Sequence, residues 1–298
     1  MISEAAVATT AAEFVTFGPV HLDVVDRSRS LHWWQNVVGL RPLSSRDDQA
    51  ALGVNGEPLV VLHSGATSPV RRGYSGLYHL ALLVPDEPAL ARVLARVLEA
   101  RSLIGATDHI VAKSLYLSDH DGIGLEIALE TPERLKTSRW HGTEHEIVDA
   151  EGNRYGGAGI PLDLEQVLAT LPDGNPAQPL PTGTKVGHVH LAVSDFDASY
   201  RFYRDKLGFL QGEYVPMVGF GDLSAGGRVS HRVALNTWQG AGVPPKPREM
   251  AGLDHFTLRF DAPERLRAAL SRVDDLERRG GEFWVRDPDG NAILLELQ

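Results

Sequence analysis

Residues 20–41, VHLDVVDRSRSLHWWQNVVGLR, and residues 189–210, VHLAVSDFDASYRFYRDKLGFL, are two copies of one pattern. Their offset is constant, because 190 − 21 and 208 − 39 both give 169. Each copy opens on an apolar run of β type and an aspartate able to cap a helix. The helical stretch that follows stops at a glycine suited to a C-cap, Gly39 or Gly208. A second pair repeats this logic: GLYHLALLVPDEPALARVLA at 76–95 and GLDHFTLRFDAPERLRAALS at 252–271. A third pair, DHDG at 119–122 and DPDG at 287–290, reads as a tight turn leading into a last apolar strand.

Repetition of this kind sets the architecture before any single motif does. The chain is a repeated pair of units, giving four modules at about 17–65, 75–130, 185–239 and 251–298, each a strand, a helix and then several strands. The first two form one repeat pair, 17–130, and the last two another, 185–298. Residues 131–184, rich in Gly and Pro, read as a connector with one short amphipathic helix near LDLEQVLATL. The expected fold class is α+β, four βαβββ modules.

Composition narrows the chemistry. The 298 residues are 43% apolar and 23% charged, ordinary for a globular chain of about two domains. A net charge of −10 argues against a nucleic-acid surface, which needs clustered Lys and Arg. Without cysteine, disulfides, thiolate metal sites and cysteine nucleophiles are excluded. No apolar run approaches the roughly 18 residues of a membrane span. The first residues lack the basic-then-apolar order of a signal peptide, so a cytoplasmic location is expected. A protein working through a metal or through acid–base side chains remains.

At GLYHLALLVPD, DHIVAKSLYLSDHDGIGLEIALETP, GHVHLAVSDFDASYRFY, VALNTW, PPKP and GLDHFTL, the chain resembles the two-domain extradiol dioxygenases of the vicinal-oxygen-chelate superfamily, in their CatE-type catechol 2,3-dioxygenase branch. The likeness runs from about residue 17 to 298. It implies two cupped-sheet domains and Fe(II)-dependent cleavage of a catechol by O2, with Mn(II) as the alternative ion. The implied partners are a small aromatic diol and O2. Nucleic acid and membrane are not among them, and assembly into a homo-oligomer is left open.

The resemblance also implies where ligands arise: on first strands, and four residues after the turn glycine on a last strand. The first-strand positions here are Pro19, His79, His188 and His255, and the last-strand positions are Glu126 and Leu294. Only the second and third modules complete a set of two histidines and one carboxylate, which leaves positions open on an octahedral ion: His79, Glu126 and His188. The metal site is therefore expected between modules 75–130 and 185–239. Glu126 shares its strand face with Gly124 and Ala128, small enough to leave room, and His188 shares its face with His190. The alternative pairs modules three and four and uses His188, His255 and Glu296, although Glu296 lies two residues late.

The resemblance further implies a tyrosine ten residues before the ligand glutamate, and Tyr116 stands there, with His109 upstream as the supporting histidine on the dioxygen side. The implied acid–base histidine is His231; a histidine suits proton transfer near neutral pH. Ser230 and Arg232 stand where the family carries further histidines, and His120 and Ile123 where it has Pro and Asn. His32, His63, His120, His141 and His145 read as surface or loop residues, His21 as structural and His255 as a relic of duplication. Val215–Phe220 and Trp238 are candidates for the ring pocket. Competing readings on the same scaffold are a glyoxalase-type isomerase or lyase, which would show a second carboxylate ligand, and a bleomycin-resistance-like aromatic-binding protein, which would not need Glu126.

Overall fold

The structure, a computed structural model, describes residues 12–46, 48–229 and 231–298 and the backbone of Ser3–Glu4. Each repeated unit builds the same element in the same way. In module one the strand Val15–Val24 is followed by the helix Arg27–Trp33, where Asp26 accepts a hydrogen bond from Arg29 N at 3.0 Å. In module three the strand Lys185–Ala192 leads to the helix Phe196–Arg201, where Asp195 accepts from Ala198 N at 3.0 Å. These bonds satisfy N–H groups that the first helical turn leaves free. Both helices widen into a π-helical turn, Trp34–Val38 and Phe202–Lys206. The chain then reverses through left-handed Gly39 (φ +94°) and Gly208 (φ +87°). Module two carries the longest helix, Glu87–Glu99, capped by Asp86 and burying Leu90, Val93, Leu94 and Val97 on one face.

The sheets do not follow the halves of the sequence. Modules two and three share a nine-stranded sheet, and modules one and four share an eight-stranded one. In the first sheet, Gly76–Leu83 lies antiparallel to Lys185–Ala192, joining the two modules through their first strands. In the second, Val15–Val24 lies antiparallel to Gly252–Phe260. In all four modules the last strand runs parallel to the first: Gly124–Glu130 on Gly76–Leu83, Val233–Asn236 on Lys185–Ala192, Glu57–Ser64 on Val15–Val24, and Ala292–Leu297 on Gly252–Phe260. First and last strands are thus central and neighbouring, so side chains of both can meet on one face of the sheet.

The DHDG and DPDG turns latch one sheet to the other. Asp121, almost wholly buried, accepts from Val25 N at 2.7 Å and from Arg29 at 2.7 Å, tying module two to the helix start of module one. Asp289 accepts from Ser194 N at 3.0 Å and from Ser199 Oγ at 3.3 Å, tying module four to module three.

Residues 131–184 hold the short helix Leu164–Ala169 and also the strands Leu135–His141, Glu144–Asp149 and Arg154–Gly156, which pair antiparallel. Their Gly- and Pro-rich setting masked these strands in the sequence, and their faces are mostly half-buried, so no clean apolar alternation marks them. The strand Ile160–Pro161 completes the edge of the nine-stranded sheet against Leu103–Asp108. Among the described residues no helix is long and apolar enough to cross a membrane.

Candidate metal centre

Strand register sets the centre. Ala81 on the first strand of module two lies opposite Glu126 on one side and opposite His188 on the other, with His79 two residues before it. Gly124 lets the strands close: a Cβ there would fall 2.4 Å from Tyr78 O and 3.1 Å from His79 Cβ. His79, Glu126 and His188 are all buried. His79 Nε2 lies 3.0 Å and His188 Nε2 3.2 Å from the same oxygen, Glu126 Oε2, and the two nitrogens are 3.1 Å apart. Among the described residues this is the one group of three or more His, Asp or Glu side chains whose donor atoms all lie within 4.8 Å of one another.

Three lone-pair-bearing atoms facing one another at this distance repel unless a proton or cation lies between them. Donors bound at about 2.1 Å and at right angles stand about 3.0 Å apart, so the spacing suits three adjacent positions on an octahedral ion. The donor set therefore fits a divalent transition metal. Burial pushes the Glu126 carboxyl up, but His188 and His79, through the charge and hydrogen bonds they offer whenever they hold the shared proton, outweigh it and hold the group well below the usual carboxylate range. Burial, reinforced by nearby His231, pushes His188 down to about 3, leaving it neutral as a ligand must be.

The other three expected residues surround this triad. Tyr116 is the direct cross-strand partner of Glu126, and its ring lies 5.8 Å from that of His79. His109 Nδ1 faces Ala158 O, which can only accept, so the ring proton sits on Nδ1. Burial pushes His109 down, so the ring is neutral and its Nε2 accepts from the Tyr116 hydroxyl at 2.8 Å. Desolvation and the charge of Glu126 raise the Tyr116 phenol, which stays protonated.

His231 packs edge-on against His188, ring centroids 4.4 Å apart. Its Nδ1 lies 2.9 Å from Asp222 Oδ2, while Asp222 Oδ1 accepts from Glu213 N at 2.6 Å. Burial pulls the imidazole down, but the Asp222 hydrogen bond and charge outweigh it, so His231 is raised above its ordinary value. Asp222 went unnoticed in the sequence because it lies nine residues from His231 on a neighbouring strand, and only the pairing of Phe220–Ser224 with Val233–Asn236 brings them together.

All six residues line one cavity of about 980 Å³. Beyond His79 lie Tyr78, His190, Phe220 and Trp238; the His190 ring is 4.8 Å from His79 and 5.6 Å from Trp238, and Phe220 stacks on Trp238 at 6.0 Å. Asn236 Nδ2 donates to His190 Nε2 at 2.8 Å while its Oδ1 accepts from Trp238 N at 3.0 Å, which sets the amide's orientation. Of the segment 215–220, only Val218 and Phe220 reach the cavity wall.

Other sequence expectations need correction. His145 is not a surface residue: it lines the cavity, stacks on Trp140 at 4.3 Å and lies 2.7 Å from Ser138 Oγ. His63 belongs to a strand, its Nε2 2.8 Å from His21 Nδ1. His255 sits in the other sheet, stacked on His21 at 3.8 Å and bonded to Asp254 at 2.6 Å, while Glu296 lies 3.5 Å from Arg259. His188, His255 and Glu296 are therefore not brought together as a site.

A family model described as Glyoxalase/Bleomycin resistance protein/Dioxygenase superfamily matches residues 16–127 and 185–295. The chain is 36% identical over 294 residues to the catechol-2,3-dioxygenase of Bacillus subtilis strain 168, covering 96% of this chain and 98% of that one. The crystal structure of glyoxalase I from Zea mays superposes with a TM-score of 0.56 at 16% identity, over 94% of this chain and 92% of that one, a likeness of fold. With 36% identity across nearly its full length and two matched repeats, the chain belongs to the Glyoxalase/Bleomycin resistance protein/Dioxygenase superfamily, the vicinal-oxygen-chelate proteins.

Proposed function

We propose that this protein cleaves a catechol-type aromatic ring beside its two hydroxyls, using O2, with Fe(II) held by His79, Glu126 and His188. The observation that carries the reading is the convergence of those three donors with Tyr116, His109 and His231 on one cavity wall. The relative named as a catechol-2,3-dioxygenase supports the same reaction class. When bound, Fe(II) would supply coordination positions that bring both catechol oxygens and O2 together.

The protein's own groups would handle orientation and protons. With Nδ1 committed to Asp222, His231 presents Nε2 to the cavity, able to take the remaining catechol proton and return it later. Its raised affinity for a proton suits that exchange near neutral pH. Tyr116, its proton directed to His109, offers its oxygen to the bound substrate. Tyr78, His190, Phe220 and Trp238 would flank the aromatic ring.

Anaerobic loading with Fe(II), followed by a catechol and then air, should give the yellow ring-fission product in the wild type and in His255→Ala. Glu126→Ala should stay colourless. No colour from the wild type across a panel of substituted catechols would refute the reading.

A further inference from the structure

Of the described non-glycine residues with positive φ, only Ile110 is β-branched, with φ +68°. That backbone is strained for such a side chain and persists only where its surroundings impose it. It lies in the turn between Leu103–Asp108 and Ala112–Ser118, immediately after His109. The constraints arrive from residues 131–160, outside the module. Arg134 grips Asp108 with both terminal nitrogens, at 2.7 and 3.1 Å, and Asp108 in turn accepts from Ile110 N at 2.8 Å. Thr131 donates its hydroxyl to Ile110 O and its N–H to Val111 O, both at 2.8 Å. Ile160 pairs with Asp108, and Ala158 O takes the Nδ1 proton of His109. Gly159 brings that strand so close that a Cβ would lie 2.4 Å from Asp108 O.

We propose that residues 131–160 form a brace in which Arg134, through Asp108, and Thr131 hold the strained turn so that His109 meets the cavity in one tautomer. Arg134 is then a positioning residue for the histidine on the dioxygen side; that side and the turnover arm of the test rest on the extradiol reading, and the spectra do not. Thr131 and Arg134 precede the extra strands and Ala158, Gly159 and Ile160 follow them, so the two ends of the inserted segment converge on the Ile110 turn. With Nδ1–H pinned to Ala158 O, the His109 ring can accept from Tyr116 and cannot turn to donate to it.

The test compares the wild type with Arg134→Gln, Arg134→Lys and Thr131→Val by nitrogen-15 spectra of the histidine rings in the metal-free protein. The His109 signals are identified by their loss in His109→Gln. The wild type should show a protonated Nδ1 and a bare Nε2 at His109. Arg134→Gln should show an averaged ring, and Arg134→Lys an intermediate one. In the iron-loaded enzyme, Arg134→Gln should lower kcat about 10- to 100-fold, with iron content and anaerobic catechol affinity unchanged. Should Arg134→Gln fail to fold, Thr131→Val carries the same readout after losing a single hydroxyl. An unchanged His109 spectrum in the folded variants would overturn the brace, whatever their turnover. Averaged His109 signals in a protein whose wild type cleaves no catechol would uphold the brace and defeat the extradiol reading instead.

Discussion

Replacing Glu126 by alanine removes the one anion from a cluster whose three donor atoms stand 3.0 to 3.2 Å apart. Loss of a mere supporting partner weakens metal binding by up to about 100-fold, so loss of a ligand should reach at least that factor. At a metal concentration 100 times the wild-type Kd, binding stabilises the folded wild type by about 2.7 kcal/mol. The same concentration only equals the weakened Kd of the variant, and the gain falls to about 0.4 kcal/mol. For a chain of this length about 2 °C accompanies each kcal/mol, so the Tm should rise by about 5 °C in the wild type and about 1 °C in the variant. The assay is an anaerobic thermal melt with and without Fe(II). His79→Ala and His188→Ala should lose the shift as Glu126→Ala does, and His255→Ala should keep it. A full shift in Glu126→Ala, or its loss in His255→Ala with retention in His79→Ala, would refute the assignment.

Two further outcomes follow from the hydrogen bonds. His231 is raised in the folded protein because Asp222 outweighs burial, so its contribution to stability is complete below the unfolded value near 6.5 and is lost as pH rises through the folded value. Asp222→Asn should lower the His231 pKa, and a proton-NMR titration of the metal-free protein showing no downward move would rule that cause out. Asp289→Ala strands Ser194 N–H and the fully buried Ser199 hydroxyl, and should cost about 2–4 kcal/mol in urea denaturation. A loss under about 0.5 kcal/mol would mean that the DPDG turn is not a latch.

The repeat made the modules legible because local chemistry suffices to write them. A capping aspartate, a helix and a left-handed glycine recur at 26 and 195, and at 39 and 208, and each acts within its own few residues. The pairing of Tyr116 with Glu126 came from the family resemblance, and it transfers well because the two lie in one hairpin and meet as direct cross-strand partners. Asp222 beside His231 and the grip of Arg134 on Asp108 were not readable, because each depends on which distant segments pack together and no spacing along the chain encodes that. The Trp140–His145 stack is a local cross-strand pair, but it lies in a hairpin that its Gly- and Pro-rich setting hid.

What the sequence by itself determined is the inventory: four strand–helix–strand modules, and ligand-type residues retained in the second and third. The resemblance pointed to a site between modules two and three, and the tertiary structure supplies the strand pairing that brings them together. Hydrogen bonding between Gly76–Leu83 and Lys185–Ala192 sets His79 and His188 on one sheet with Glu126, whereas His255 lies in the other sheet beside His21 and His63. The physical reason is that strand pairing is a long-range choice between edges of similar chemistry. Packing of the whole chain settles it.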